Sequence, residues 1–303
     1  MTVFDILRAR VARRSRAPHG DGARIALAVE GGAMRGVISA GMVTALEDLG
    51  LTHAFDSVYG ASAGSISAAY FLAGQAALGT RIFSEDINNR HFIDLWRAAR
   101  GRPIVDLAFL LDDVMVRRKR LEVDRVLAAA SPLTVMATDV ESRLAVPLQG
   151  FASASHLLGA MRAGATMPIV AGGPYLHEGR RYLDASLSEP IPVPTAEADG
   201  HTHIVVLLTR GGTMHARPSA FDRYFVGPRL RRVSPDLADR YLARAGPYST
   251  LLATIEAGRG PLGRASVTAI RVTDLHISKL ERRRDVLERG ARAGYDAVMR
   301  SVR

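Results

Sequence analysis

The stretch that decides the fold is Val58-Tyr59-Gly60-Ala61-Ser62-Ala63-Gly64, which runs on into Ser65-Ile66-Ser67-Ala68-Ala69-Tyr70-Phe71-Leu72. An apolar run, a G-x-S-x-G string and a second apolar run read as strand, sharp turn and helix. That arrangement lifts the Ser62 hydroxyl to the sheet edge, over the positive end of the following helix. Gly60 and Gly64 are bare because strand and helix crowd each other there. The string alone is weak, because with 28 glycines in 303 residues random order would give one in roughly one chain in six. The strand and helix on its correct sides give it weight.

Upstream lies a second turn of the same kind. Arg24-Ile25-Ala26-Leu27-Ala28-Val29-Glu30 is a continuous apolar run of the sort buried in a parallel sheet. Gly31-Gly32-Ala33-Met34-Arg35-Gly36 follows, and Val37 to Leu49 reads as a helix closed by Gly50. A Gly-rich turn between strand and helix points backbone N–H groups outward, ready for an anion. It can hold a dinucleotide phosphate, which Gly31-x-Ala33-x-x-Gly36 imitates, or it can form an oxyanion hole. A ribose-binding acid should close the second strand, but Asp56 opens it, and the strand ends in Gly60-Ala61-Ser62. One turn supplying a nucleophile beside another supplying donors favours acyl transfer over nucleotide binding.

The rest of the chain predicts a single α/β domain over 24–303, a three-layer sandwich around a mostly parallel sheet, preceded by a basic segment and linker over 1–23. Strands are expected at 133–140, 144–148, 181–183, 202–209 and 267–272, and helices at 154–165 and 280–302. Residues 80–120 read as mostly helical, broken at Gly101-Arg102-Pro103. Residues 211–263 look like a surface excursion or lid, with helices over 235–244 and 247–257. Two basic elements are candidates for a membrane surface: a helix over Thr2–Arg14, which could equally pack on the domain, and the run Arg117-Arg118-Lys119-Arg120.

Composition excludes several classes. The chain has no cysteine, so disulfides, thiolate metal sites and a Cys nucleophile are ruled out. No apolar stretch approaches the ~18 residues needed to span a bilayer, and Asp5 and Arg8 come too early for a secretory leader. A cytoplasmic protein, peripheral at most, is the expectation. The net charge of +10 comes mainly from scattered arginines, a pattern that GC-rich coding produces unaided. Without an aromatic-interleaved basic patch it does not indicate a nucleic-acid partner.

Three pieces now align: Glu30-Gly31-Gly32-Ala33-Met34-Arg35-Gly36, Gly60-Ala61-Ser62-Ala63-Gly64, and Tyr182-Leu183-Asp184-Ala185-Ser186 before a Pro-x-Pro. In order and spacing, over about Arg24 to Leu208, the chain resembles the bacterial patatin-like phospholipases; Met161-Arg162-Ala163 before Met167-Pro168 is similar to the family's lead-in to its acid. The resemblance implies a lipid ester hydrolase with a Ser-Asp dyad and no cofactor or metal. In that reading Ser62 is the nucleophile and Asp184 its base, while the N–H groups of Gly31, Gly32 and Ala33 hold the oxyanion. Arg35 steadies the loop or meets a lipid phosphate, and Gly36, Gly60 and Gly64 support the two turns. A serine hydroxyl needs a base within about 3 Å, and a carboxylate is a weak base in water, so the site has to desolvate it.

Two positions depart from the family pattern. Ala33 stands where a third glycine is usual, and at positive φ it costs about 1 kcal/mol. Ala185 replaces a glycine after the acid, which puts the backbone around Asp184 in question. Two other readings remain at this point. One is an α/β-hydrolase triad recruiting His203 or His215. The other is a lipid-binding protein on the same fold with weak or no chemistry.

Overall fold

The computed structural model describes residues 2–212 and 218–302. Eight strands form one sheet: β1 (Ile25–Val29), β2 (Ser57–Ala61), β3 (Leu133–Asp139), β4 (Ala145–Leu148), β5 (Tyr175–His177), β6 (Arg180–Asp184), β7 (His203–Leu208) and β8 (Ser266–Arg271). Their order is β5-β6-β3-β2-β1-β7-β8, with β4 also paired to β3. The run β3-β2-β1-β7-β8 is parallel, and β4, β5 and β6 join antiparallel.

Side chains alternate across β1 and define the layers. Ile25, Leu27 and Val29 join a core built with the helices Val37–Asp48, Ala63–Leu72 and Arg284–Ser301. Ala26 and Ala28 face the opposite side, with Ile204, Val206, Leu208 and, from the helix Ala245–Glu256, Tyr248, Leu252 and Ile255. Both faces of β1 are covered, which is why its sequence is an unbroken apolar run. The expected three-layer α/β architecture is therefore present.

The pairing along β3 places the site. β2 runs parallel to β3 and ends with Ala61 opposite Met136. β6 runs antiparallel to it and ends with Asp184 opposite Ala137. β4 pairs with Val135 and Ala137, on the edge that neither β2 nor β6 uses. β2 and β6 therefore meet head to head along one edge of β3, and their last residues arrive side by side. β1 ends alongside β2, with Val29 opposite Gly60.

Several boundaries differ from the sequence reading. Residues 80–120 are less helical than expected: a helix covers Ala76–Glu85, a single turn Trp96–Ala99, and a π-helix Phe109–Arg118. The last helix starts at Arg284 and buries Val286, Leu287, Gly290, Gly294, Ala297 and Val298. The N-terminal helix, Val3–Ala12, packs on the domain through Val3, Phe4, Ile6 and Leu7. Arg10 on it is 2% exposed. It donates to Asp21, Asp56 and the carbonyls of Ala23 and Ala54 at 2.7–2.8 Å. The basic run near 117 is largely paired, with Arg118 on Asp113 and Lys119 on Glu85.

Candidate active site

Ser62 sits at φ 52° and ψ −126°, outside the regions an L residue ordinarily occupies. Such a conformation costs about 1–3 kcal/mol and persists only where the surroundings enforce it. They do so through close backbone contact. A Cβ on Gly60 would lie 2.3 Å from Ser65 Cα, and one on Gly64 would lie 2.4 Å from the Val29 carbonyl oxygen. The strained turn ends in the helix Ala63–Leu72, whose positive end lies beneath the hydroxyl.

From this turn the Ser62 hydroxyl donates to Asp184 Oδ2 at 2.8 Å. The other carboxylate oxygen, Oδ1, accepts from Ser186 N–H at 2.8 Å. The backbone of Asp184 is also fixed, its N–H donating to Thr166 O at 2.7 Å and its carbonyl accepting from Thr138 Oγ1 at 2.9 Å. Asp184 is 7% exposed, so little water competes for the carboxylate. Its φ of −51° and ψ of 137° are ordinary, and Ala185 adopts no positive φ, so this turn needs no glycine.

The Gly31–Gly36 loop passes beside the nucleophile. Gly31 approaches so closely that a Cβ there would stand 2.4 Å from Ala61 O and 2.9 Å from Ser62 Cβ. Ala33 has φ 51°, the left-handed conformation that the usual glycine would take without strain. Gly36 is buried at the end of the short 3-10 turn leading to the next helix. Arg35 is bound into the loop's support: its Nε donates to Thr209 Oγ1 at 3.3 Å, and that hydroxyl donates to Gly31 O at 2.7 Å. The sequence reading missed the residue beneath them. Glu30 is buried and accepts from Thr209 N at 2.6 Å, Arg210 N at 3.3 Å and the Tyr248 hydroxyl at 2.9 Å. It ties the loop to the end of β7 and to the helix 245–256. The signal available in the sequence was an acid ending an otherwise apolar strand.

These groups open into a cavity of about 1090 Å³ lined by Ser62, Asp184 and the Gly31–Ala33 loop, with apolar walls from Ile104, Met167 and Val170. Six cations also line it: Arg35, Arg143, Arg210, Arg240, Arg244 and Lys279. Arg143 pairs with Asp236 and Arg244 with Asp222, whereas Arg35, Arg210 and Lys279 make no carboxylate ion pair among the described residues. Arg210 instead lies 5.3 Å over the Tyr248 ring, and its Nε has no hydrogen-bond partner. Lys279 lines the cavity and remains exposed there. Desolvation, followed by the nearby Arg35 and Arg244, pulls its pKa down to about 8 against the opposing pull of Asp184. Its carbonyl accepts from Met34 N–H at 3.2 Å, so its backbone also braces the loop.

The histidines considered as triad partners are placed differently. His203 begins β7, opposite Ile25, whereas Ser62 follows the far end of β2. Five residues of strand separate the two ends, roughly 16 Å. His215 lies outside the described residues. His276 lines the cavity. Among the described residues, His156, His177 and Glu178 cluster closely enough to hold a metal ion. However, His156 Nδ1 accepts from Ala152 N–H at 3.3 Å, so in the neutral ring Nε2 carries the proton toward Glu178, 3.2 Å away. That nitrogen is a donor there and not an open ligand.

The uncharacterized protein YjjU of Escherichia coli (strain K12) is 27% identical over 203 residues, a match covering 66% of this chain and 56% of YjjU. The chain thus spans little more than half the length of that relative. Among solved structures, VipD from Legionella pneumophila aligns with 92% of this chain and 66% of its own, at 11% identity and a TM-score of 0.44. The sequence model of the family described as Patatin-like phospholipase matches residues 27–197, from β1 past the Asp184 turn and over more than half of the chain. The chain belongs to the patatin-like phospholipase family.

Proposed function

We propose that the protein is a lipid acyl hydrolase working through Ser62 and Asp184. The observation that carries this reading is the 2.8 Å hydrogen bond from the Ser62 hydroxyl to a desolvated carboxylate, at a strained turn inside a large, partly apolar cavity. As Ser62 Oγ attacks the ester carbonyl, its proton passes to Asp184 Oδ2, and the carbonyl oxygen becomes an oxyanion beside the N–H groups of Gly31, Gly32 and Ala33. Each preorganised donor is worth roughly 3–4 kcal/mol of barrier. Collapse expels the alcohol, which takes the proton from Asp184 and leaves Ser62 acylated. Asp184 then draws a proton from water, the hydroxide attacks the acyl carbon, and the fatty acid leaves as Ser62 recovers its proton.

Arg35, Arg210 and Lys279 favour a substrate with negative charge near the ester, a phospholipid or lysophospholipid over a neutral glyceride. Cations left without a carboxylate ion pair gain most from an anion that enters with the ligand. Ala33, the position that raised the non-enzymatic reading, holds the left-handed conformation despite its methyl group, so the loop keeps its shape. The test is a fluorophosphonate probe, which traps activated serines. The wild type is expected to be labelled and Ser62→Ala not; a folded wild type that resists the probe refutes the hydrolase reading.

A further inference from the structure

The mouth of the cavity carries side chains that the fold does not account for. Phe221, Tyr224 and Phe225 are 37%, 66% and 50% exposed, and the Phe221 and Phe225 rings stack 5.5 Å apart. Packing does not need them there. The inward positions of the same segment belong to Val226 and Leu230, which join Leu237, Ala238 and Tyr241 in a satellite core over Met167 and Leu187. Phe221 lines the mouth of the cavity together with Pro218 and Leu144, itself 57% exposed.

Around these rings stand Arg223, Arg229, Arg232 and Arg240, all exposed. None of the four has a carboxylate partner among the described residues. Arg223 lies over the Tyr224 ring, and Arg229 and Arg240 reach only backbone carbonyls. The acids within reach are engaged elsewhere: Asp222 with Arg244, Asp236 with Arg143 and Asp239 with Arg231. A hollow of about 340 Å³ opens between Arg223, Arg231 and Arg232 on the same face.

We propose that this face, residues 218–240 with Leu144, seats the mouth of the cavity on a bilayer rich in anionic phospholipid. Aromatic rings partition to the headgroup level of a bilayer, and each arginine near an anionic surface adds a comparable attraction. The rings and the arginines therefore serve one occupant together. A second copy of the chain is disfavoured by charge: a two-fold contact through this face would bring unpaired arginines against their own symmetry mates. The location completes the argument, because a lipid can pass from the bilayer to Ser62 here without crossing water. That last step rests on the hydrolase reading, whereas the docking surface is testable without it.

The measurement is co-sedimentation of Ser62→Ala protein, in which nothing is turned over, with vesicles of phosphatidylglycerol and phosphatidylcholine (1:1) or of phosphatidylcholine alone. Binding is expected on the anionic vesicles, about tenfold weaker on the zwitterionic ones and weakened by salt. Tyr224→Ser with Phe225→Ser, and separately Arg223→Gln with Arg229→Gln and Arg232→Gln, are each expected to lower vesicle affinity by about tenfold, with unchanged circular dichroism and melting temperature. The proposal is overturned if neither vesicle binds, if the folded variants bind as the parent does, or if sedimentation shows a dimer that the same substitutions dissolve. Fluorophosphonate labelling of the wild type reads the other question separately: a protein that docks but resists labelling loses the hydrolase reading and keeps this one.

Discussion

Asp184→Asn isolates proton transfer, because the surrounding hydrogen bonds fix how asparagine must sit. Asp184 Oδ1 accepts from Ser186 N–H and Oδ2 accepts from the Ser62 hydroxyl, both at 2.8 Å. Asparagine can keep only one acceptor. Turning its amide toward Ser186 would oppose two donors in a buried site, so the carbonyl stays on Ser186 and the NH2 faces Ser62. The nucleophile then has a donor where it needs a base.

General-base catalysis is worth roughly 100- to 10,000-fold, or about 3–5 kcal/mol of barrier. With the base replaced by a donor, the expected fall in kcat lies at the upper end, about 1,000-fold or more. KM should move little, since the acyl pocket and the glycine loop are untouched. The contact to Ser186 survives as a neutral hydrogen bond, so stability should change by only about 1 kcal/mol, or roughly 2 °C in Tm. The assay is steady-state hydrolysis of a fluorogenic short-chain ester, with a thermal melt of the same sample. A folded Asp184→Asn enzyme retaining more than about a tenth of the wild-type kcat would refute the base assignment. His276→Ala belongs in the same experiment, because His276 lines the cavity. It should stay within about twofold of wild type, whereas a triad through that imidazole would lose several orders of magnitude.

Three further outcomes are expected. Gly64→Ala places a methyl 2.4 Å from the Val29 carbonyl and 3.0 Å from that of Glu30, backbone atoms that cannot turn aside; the protein should lose at least about 3 kcal/mol in denaturant titration or fail to fold, and a near-native melt would show the turn to be loose. Lys279 is protonated below its pKa of about 8 and loses its charge as pH rises through that value. KM for an anionic lysophospholipid should therefore rise about tenfold between pH 7 and pH 9, the worth of one charge-assisted hydrogen bond, and Lys279→Met should flatten that rise. Arg10→Met strands Asp21 and Asp56 half-buried and should cost about 3–5 kcal/mol, read as a fall in Tm of roughly 10 °C. The guanidinium of Arg10 also holds Asp21 down at about 2. That pairing contributes in full above the ordinary carboxylate value near 3.8 and is lost as pH falls through about 2, so acid titration should close the gap between Arg10→Met and wild type.

What could be read from the chain depended on how local its cause was. The Ser62 turn is legible within seven residues, as an apolar strand, two glycines and a helix, although the backbone that crowds Gly64 is that of Val29 on the neighbouring strand. Asp184 was identified through the resemblance of its turn to the family's acid motif, but its route to Ser62 was not readable. It depends on β6 entering antiparallel and taking the edge of β3 that β2 leaves free after Met136. That is a tertiary pairing, which no local preference for strand specifies.

The arginines make the same point from the other side. In the sequence they are alike, scattered through a basic chain, and composition cannot divide them. In the fold, Arg10 is a buried clamp, Arg118 is neutralised by an acid five residues earlier, and Arg35 and Arg210 face the cavity without a carboxylate ion pair among the described residues. What separates these roles is where each carboxylate ends up. Asp113 sits on the same helical element as Arg118, so that pair follows from spacing. Asp222 and Arg244 are brought together only when Val226, Leu230 and Tyr241 close the satellite core. Cations without a carboxylate ion pair occur over much of the surface, and what sets Arg35, Arg210 and Lys279 apart is that they line the cavity that holds Ser62. Under the proposed reading, that position is where a charged lipid would be held.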